Sequence, residues 1–207
     1  MKKMKKEEEP MSQTLNYYNT HASSFAKNTQ DVAFEDCQNR FLSHLKSGGT
    51  ILDLGCGAGR DSAAFLKKGY EVTPVDGSKA LCQIASEYLK RPVRLQLFEE
   101  LDEKDAYDGI WACSSLLHVP SSQLPDIFSR IEKALKDGGI FYCSFKKGEF
   151  EGMRNGRYFT DLTEKALLSL IAQKAKDLHL MDSWISLDSR PDREDVWLNT
   201  LFRKEKQ

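Results

Sequence analysis

Three alternating glycines directly after a short apolar run restrict the possible folds of this chain more than any other feature. Gly55, Gly57 and Gly59 follow the run Ile51–Leu54, and a helical pattern begins at Ser62. This order predicts a strand, a tight turn and a helix. Glycine adopts positive φ without steric cost and lets a ligand approach the backbone at the first turn of a helix. The stretch therefore predicts a ligand cradle.

Two acids and one arginine indicate which ligand this is. A dinucleotide-binding turn has its third glycine at the position of Arg60. Asp53, just before the turn, would repel a pyrophosphate but suits an ammonium group. Asp76 ends the next predicted strand, Tyr70–Asp76, where an acid can accept both hydroxyls of a ribose. S-Adenosylmethionine, which has an ammonium group, a ribose and no phosphate, meets these conditions.

Asp53, the glycine turn and Asp76 together resemble the class I S-adenosylmethionine-dependent methyltransferases, over roughly residues 35–203. The resemblance implies an enzyme with a Rossmann-like, doubly wound, mostly parallel seven-stranded sheet (class α/β) that ends in an antiparallel hairpin. Strands that alternate with helices predict the parallel part. A polar turn between Ser183–Asp188 and Val196–Arg203 predicts the hairpin. Asp188 and Arg190 either reach the site or, as the favoured interpretation, brace this turn as an ion pair.

Four further segments narrow the resemblance to a bacterial group similar to the tellurite-resistance-type methyltransferases. This narrower resemblance implies a small-molecule acceptor, including selenium or tellurium oxyanions. The segments are Gly57–Asp61, Tyr107–Cys113, Leu116–Pro120 and Ser144–Lys146.

The class resemblance also implies where the cofactor is bound. Family members often have an acid after the third strand that binds the adenine amino group. Here either Glu99 does so, or Phe98 packs on the ring. Arg60 either pairs with the cofactor carboxylate or is a solvated helix residue. The predicted cofactor-binding residues are Asp53, Gly55, Cys56, Gly57, Arg60, Asp76, Gly77, Phe98, Glu99 and Ser114.

A short helix, Thr14–Phe25, is expected over the cofactor mouth. The acceptor is expected beneath Lys146–Asp161, which is rich in glycine, polar and aromatic residues and is either a mobile lid or an ordinary solvated loop. Either His118, in the loop after the fourth strand, is a general base or it is a structural histidine. The predicted substrate-binding residues are Tyr18, Arg154, Arg157 and Tyr158. We expect no metal ion.

Size and composition favour one domain, residues 14–207, after a disordered charged tail, residues 1–13. The 30 basic and 31 acidic residues give no general attraction to nucleic acid, although an RNA substrate stays an alternative. A non-catalytic cofactor-binding module is another. Five cysteines without Cys-x-x-Cys spacing, and no apolar stretch of about 18 residues, predict a cytoplasmic protein without a membrane span. A monomer or homodimer is expected.

Overall fold

A computed structural model describes residues 10–190 and 193–205. Residues 1–9 of the predicted tail lie outside the described residues. None of the helices in the described ranges is long and apolar enough to cross a membrane. The helices are α1 (Pro10–Thr29), α2 (Glu35–Leu42), α3 (Arg60–Lys67), α4 (Lys79–Leu89), α5 (Leu124–Ala134) and α6 (Glu164–Lys174). The strands are β1 (Thr50–Leu54), β2 (Glu71–Asp76), β3 (Arg94–Leu95), β4 (Tyr107–Ala112), β5 (Leu135–Lys146), β6 (Glu151–Arg154), β7 (Arg157–Thr160), β8 (Leu178–Leu187) and β9 (Val196–Lys204).

Seven of these strands form one sheet in the order β3-β2-β1-β4-β5-β9-β8. The neighbours from β3 to β5 pair in parallel, whereas β9 is antiparallel to both β5 and β8. The predicted fold class and the C-terminal antiparallel hairpin are therefore confirmed. The order reverses between β1 and β4, and ligands of open parallel sheets bind at such a reversal.

Alternating side chains along the strands separate two hydrophobic cores, one on each face of the sheet. Leu52 and Ile110 belong to the core that α5 and α6 cover. Ile51 and Trp111, their chain neighbours, belong to the core that α2 and α3 cover. Strands buried on both faces in this way are typical of doubly wound sheets. The helices on both faces thus hold the carboxyl ends of the central strands in place.

Helix α1 is longer than the predicted Thr14–Phe25, and it includes residues 10–13, which the sequence analysis assigned to the tail. Asn19, in the middle of this helix, bonds to the start of α4. Asn19 Oδ1 accepts hydrogen bonds from Ser78 Oγ at 2.8 Å and from Ala80 N at 3.1 Å. These contacts fix the helix across the start of α4.

Two other segments differ from their predicted form. The third strand, expected over Val93–Phe98, contains only two residues, because the Glu100 carboxylate accepts the Leu97 N–H at 2.7 Å and starts a 3-10 turn. The expected lid, Lys146–Asp161, contains the paired strands β6 and β7 instead of an irregular loop. This β6–β7 hairpin is tied to α1, since Tyr158 N donates to Thr14 Oγ1 at 2.9 Å.

The turn after β1 depends on a glycine for packing as well as for backbone geometry. Gly55 has φ +83°, and a Cβ there would lie 2.4 Å from Ser115 Cβ. Ser115, in the loop after β4, donates its hydroxyl to Leu54 O at 2.7 Å. The loops after β1 and β4 can therefore touch only because residue 55 has no side chain.

We predict that Gly55→Ala destabilises the fold more than Gly69→Ala does. Gly69 has almost the same φ, +84°, but a Cβ added to it would meet nothing within 4 Å, so it is a matched control. Both variants should lose about 1–2 kcal/mol from the left-handed backbone, and Gly55→Ala about 1–3 kcal/mol more from overpacking. Urea unfolding followed by circular dichroism measures both losses. Equal losses would contradict the packing role of Gly55.

Candidate active site

The carboxyl ends of β1, β2 and β4 open into one cleft that α1 and the β6–β7 hairpin cover. Gly55, Asp76 and Ser114 line it from the sheet, Tyr18 from α1, and Arg157 from the hairpin. Cys56, Gly57, Gly77, Phe98 and His118 line it as well. The structure thus brings together most of the residues that the sequence analysis selected.

Asp76 joins the glycine turn to the end of β2. Its Oδ2 accepts the Gly57 N–H at 2.9 Å, and its Oδ1 accepts the Ser78 N–H at 2.8 Å. Burial raises the pKa of this carboxyl to about 6, although the two backbone bonds oppose the shift. A carboxylate has about four lone-pair sites, so each oxygen can accept one further hydroxyl proton. The arrangement suits the two hydroxyls of a ribose.

Asp53 does not line the cleft, in contrast to the role expected for it. Its side chain is 2% exposed and accepts a hydrogen bond from Ser62 Oγ at 2.6 Å, on the face of the sheet that α3 covers. Burial, reinforced by the charge of Asp61, raises the pKa of Asp53 to about 8. At neutral pH this carboxyl is therefore mostly protonated, and the structure gives it no direct contact with a ligand's ammonium group.

Arg60 lines the cleft, but it is paired with a neighbouring acid that the sequence analysis did not consider. Its Nε and Nη2 donate to the two oxygens of Asp61, both at 2.8 Å, and its guanidinium lies 4.5 Å from the ring centre of Phe34. Asp61 also accepts from Trp111 Nε1 at 2.9 Å and from Gln38 Nε2 at 2.7 Å. Burial opposes ionisation of Asp61, but Arg60 prevails and the pKa of Asp61 is lowered. Arg60 is thus a buried, neutralised cation.

Asp61 itself was missed as part of the site. Its position in the first turn of α3 was the available signal, because a buried acid there needs several donors.

The residues after β3 differ in whether they face the cleft, which bears on the choice between Glu99 and Phe98 as the adenine contact. Phe98 lines the cleft together with Gln96 and Leu97, whereas Glu99 is exposed and lies outside the lining. Of the two residues, Phe98 is therefore the one placed to pack on a ligand in this cleft.

The thiol of Cys56 lines the cleft but is not activated. Burial raises its pKa well above the ordinary value, and the carboxyls of Asp53 and Asp76 raise it further. A protonated thiol is a poor nucleophile. Cys56 is therefore not an activated nucleophile in this structure.

His118 is buried between α1 and the hairpin, with both ring nitrogens occupied. Its Nδ1 lies 2.6 Å from the carbonyl oxygen of Tyr158, and its Nε2 lies 2.8 Å from the hydroxyl of Tyr18. A carbonyl only accepts, so Nδ1 carries the proton and Nε2 accepts the Tyr18 hydroxyl. Burial lowers the pKa of His118 to about 4, with Arg157 and Lys146 as further causes. The ring nitrogens of His118 can thus exchange a proton with a ligand in the cleft only through the Tyr18 hydroxyl.

The β6–β7 hairpin separates the two arginines that the sequence analysis grouped together. Arg157 lines the cleft. Arg154 lies outside the lining and pairs with Asp161 at 2.8 Å. The Tyr158 hydroxyl also lies outside and donates to Glu151 at 2.8 Å, so this residue reaches the site only through its carbonyl. The expected roles of Arg154 and the Tyr158 side chain have no support in this geometry.

The turn between β8 and β9 forms one wall of the cleft. The sequence analysis favoured a bracing role for this turn. Asp188 and Arg190 form the predicted ion pair, at 2.5 Å, and both also line the cleft. Lys146 and Asp195 form a second pair at 2.6 Å in the same wall. The wall therefore contributes two ion pairs, and the exposed Arg193 lines the cleft beside them.

Comparison with known proteins gives a family for the central part of the chain. Residues 51–139 match the family model described as a methyltransferase domain. The putative methyltransferase YqeM of Bacillus subtilis (strain 168) is 27% identical over 144 residues, which are 64% of this chain and 58% of that protein. The chain spans about half the length, or less, of the curated relatives it matches first.

Solved structures with the same fold cover nearly the whole chain. The Burkholderia thailandensis 1,6-didemethyltoxoflavin-N1-methyltransferase, solved with its acceptor and S-adenosylhomocysteine, has a TM-score of 0.76 at 22% identity, covering 95% of this chain and 88% of that one. The [4+2]-cyclase SpnF has a TM-score of 0.75 at 14% identity, covering 96% and 97%. Since one neighbour is named a cyclase, the fold alone does not fix the reaction.

We predict that His118 stays neutral, with its proton on Nδ1, until the pH falls to about 4. Long-range ¹H–¹⁵N NMR from pH 8 to pH 4 measures both the tautomer and the titration, with the exposed His21, His44 and His179 as reference signals. The unfolded chain should take up this proton first, so the contribution of His118 to the free energy of unfolding should fall as the pH is lowered from about 6.5 toward 4. The raised pKa values of Asp53 and Asp76 act in the opposite direction. An imidazolium signal at pH 6 would contradict this description of the site.

Proposed function

Because residues 51–139 match a family model described as a methyltransferase domain, we propose that this chain transfers a methyl group from S-adenosylmethionine to a small-molecule acceptor. The observation that carries the proposal is the cleft in which the glycine turn, Asp76 and the loop after β4 meet beneath α1. We further propose that it does so in the cytoplasm, which the five free cysteines support.

The residues present fit this cofactor. Asp76 has free lone pairs for the ribose hydroxyls, and Leu81, Leu97 and Phe98 offer apolar walls for an adenine ring. The aromatic faces of Tyr18 and Phe25 suit a sulfonium cation. When bound, the cofactor supplies an electrophilic methyl group for an in-line displacement. Alignment of the acceptor in a closed cleft is the main contribution of the protein, about 7–11 kcal/mol for well-oriented groups.

An acceptor that arrives protonated must also lose a proton. The ring nitrogens of His118 cannot take this proton directly, because both are occupied. Tyr18 is the group that faces the cleft, and its hydroxyl donates to His118 Nε2. The acceptor's proton can therefore pass to Tyr18 Oη while the hydroxyl proton of Tyr18 passes to His118 Nε2. The base role expected for His118 is thus proposed here as a relay through Tyr18.

The sequence-based alternatives receive less support. A net charge of −1 gives no basis for strong attraction to RNA. A non-catalytic binding module would need no proton acceptor next to the cofactor, yet Tyr18 and His118 form one. The narrower resemblance to tellurite-resistance-type enzymes leaves selenium and tellurium oxyanions as acceptors to be tested. The oligomeric state stays a prediction.

We predict micromolar binding of S-adenosylhomocysteine to the purified chain in calorimetric titration, with no binding of NAD. NAD is the control because Arg60 stands where a dinucleotide-binding turn has glycine. If neither compound binds, the cofactor assignment is wrong, and the proposed enzyme activity is withdrawn with it.

We predict that Asp76→Ala weakens S-adenosylhomocysteine binding by about tenfold to a hundredfold, as expected when a charged hydrogen-bond acceptor is lost. Glu99→Gln should leave the affinity unchanged, since Glu99 is exposed outside the cleft. Thermal melting of each variant checks that the glycine turn stays folded without the Asp76 bond to Gly57. Equal effects of the two substitutions would contradict the ribose role of Asp76.

A further inference from the structure

One of the cations that line the cleft differs from its neighbours. Arg60 pairs with Asp61, Lys146 with Asp195, and Arg190 with Asp188. Two further arginines line the same cleft without an ion pair to a carboxylate among residues 10–190 and 193–205. Arg193 is exposed in the turn between β8 and β9, whereas Arg157 is partly buried. Three of these five cations are therefore neutralised, and Arg157 is the partly buried one of the two that are not.

The surroundings of Arg157 are aromatic. Its guanidinium carbon lies 4.8 Å from the ring centre of Tyr17, 5.8 Å from that of Tyr18 and 5.1 Å from that of Phe159. Its Nη1 donates a long hydrogen bond, 3.4 Å, to the Tyr18 hydroxyl. Its Nε is buried without a partner among the described residues. The guanidinium is thus held in place by its neighbours, while its Nε–H has no hydrogen-bond acceptor among the described residues.

An unpaired guanidinium in such a place is costly unless a ligand compensates it. Removal of a charge from water carries a penalty that an ion pair with good hydrogen-bond geometry offsets. The planar fork of arginine matches the two oxygens of a carboxylate. The rings of Tyr18 and Phe159 add flat apolar surfaces next to that fork. A planar arene that bears a carboxylate satisfies both features, whereas a small hydrated oxyanion uses only the charge.

We propose that Arg157 binds the carboxylate of an aromatic acceptor and thereby makes this cleft selective for aromatic carboxylates. The proposal rests on the proposed function, because it assigns the acceptor's end of the same site. Tyr18 contacts both Arg157 and His118. An arene anchored at Arg157 therefore lies within reach of the hydroxyl that would take its proton.

The test is calorimetric titration of the full chain with benzoate and 2-naphthoate, with and without saturating S-adenosylhomocysteine. Benzamide is the neutral control, and selenite is the inorganic oxyanion control. Both aromatic carboxylates should bind, and benzamide and selenite should bind at least about tenfold more weakly. Arg157→Gln should weaken carboxylate binding by about tenfold to a hundredfold, with partial retention in Arg157→Lys.

Arg154→Gln is the matched substitution, in the same hairpin but directed at Asp161. It should change carboxylate affinity by less than about threefold. A larger effect from Arg154→Gln than from Arg157→Gln would overturn the proposal, as would equal binding of benzamide and benzoate. Failure of both carboxylates to bind the wild-type chain would also overturn it.

The cofactor's own carboxylate is the other source of the same chemistry. If Arg157 holds that group, Arg157→Gln should weaken S-adenosylhomocysteine but leave 5′-methylthioadenosine, which has no carboxylate, unaffected. That result would overturn the acceptor role. If Arg157 holds the acceptor, the affinity for both compounds should stay unchanged. Wild-type protein that binds aromatic carboxylates but not S-adenosylhomocysteine would contradict the proposed function alone, since the carboxylate titrations do not require the cofactor.

Discussion

The direct contact between the loops after β1 and β4 is the constraint on which the site depends. Ser115 reaches the carbonyl of Leu54 only because Gly55 leaves the space empty. The reversal of strand order between these two strands would otherwise produce a wider gap. With the loops in contact, Asp76 can bond to Gly57 from the neighbouring strand end, so three strand ends form one rigid surface. Helix α1 and the β6–β7 hairpin then close a cleft whose base is already fixed.

Charge inside this cleft is arranged by pairing. Asp61 neutralises Arg60 and also takes the indole N–H of Trp111, which is stacked on Tyr142 in the core. A buried acid with four donors ties the helix start to the sheet, and it removes a cation that would repel a sulfonium. The same pairing neutralises Lys146 and Arg190 in the β8–β9 wall, where the exposed Arg193 is the further cation of the lining. Against this background the unpaired Arg157 stands out as a group kept for a ligand.

The sequence predicted the sheet and the base of the site because both follow from local rules. Glycine spacing located the turn, and strand alternation located Asp76. Asp53 is adjacent to the same turn, but its side chain points to the opposite face of the sheet, and a strand of four or five residues does not reveal which face a ligand uses. Arg154 and Arg157 were indistinguishable, because only pairing across the hairpin and packing on α1 separate them. Contacts between segments about 140 residues apart, such as Tyr158 with Thr14, leave no local signal.

Burial makes the protonation states of the acids and of His118 at this site sensitive to a bound ligand. Burial moves Asp53, Asp76 and His118 toward their neutral forms, with pKa values of about 8, 6 and 4. The positive charge of Arg157 is one of the causes that lower the pKa of His118. An anion bound to Arg157 would cancel that charge and raise the pKa again. A methyl acceptor bound to Arg157 would thereby make His118 a better proton acceptor. Without a bound anion, the buried imidazole ring of His118 would stay neutral.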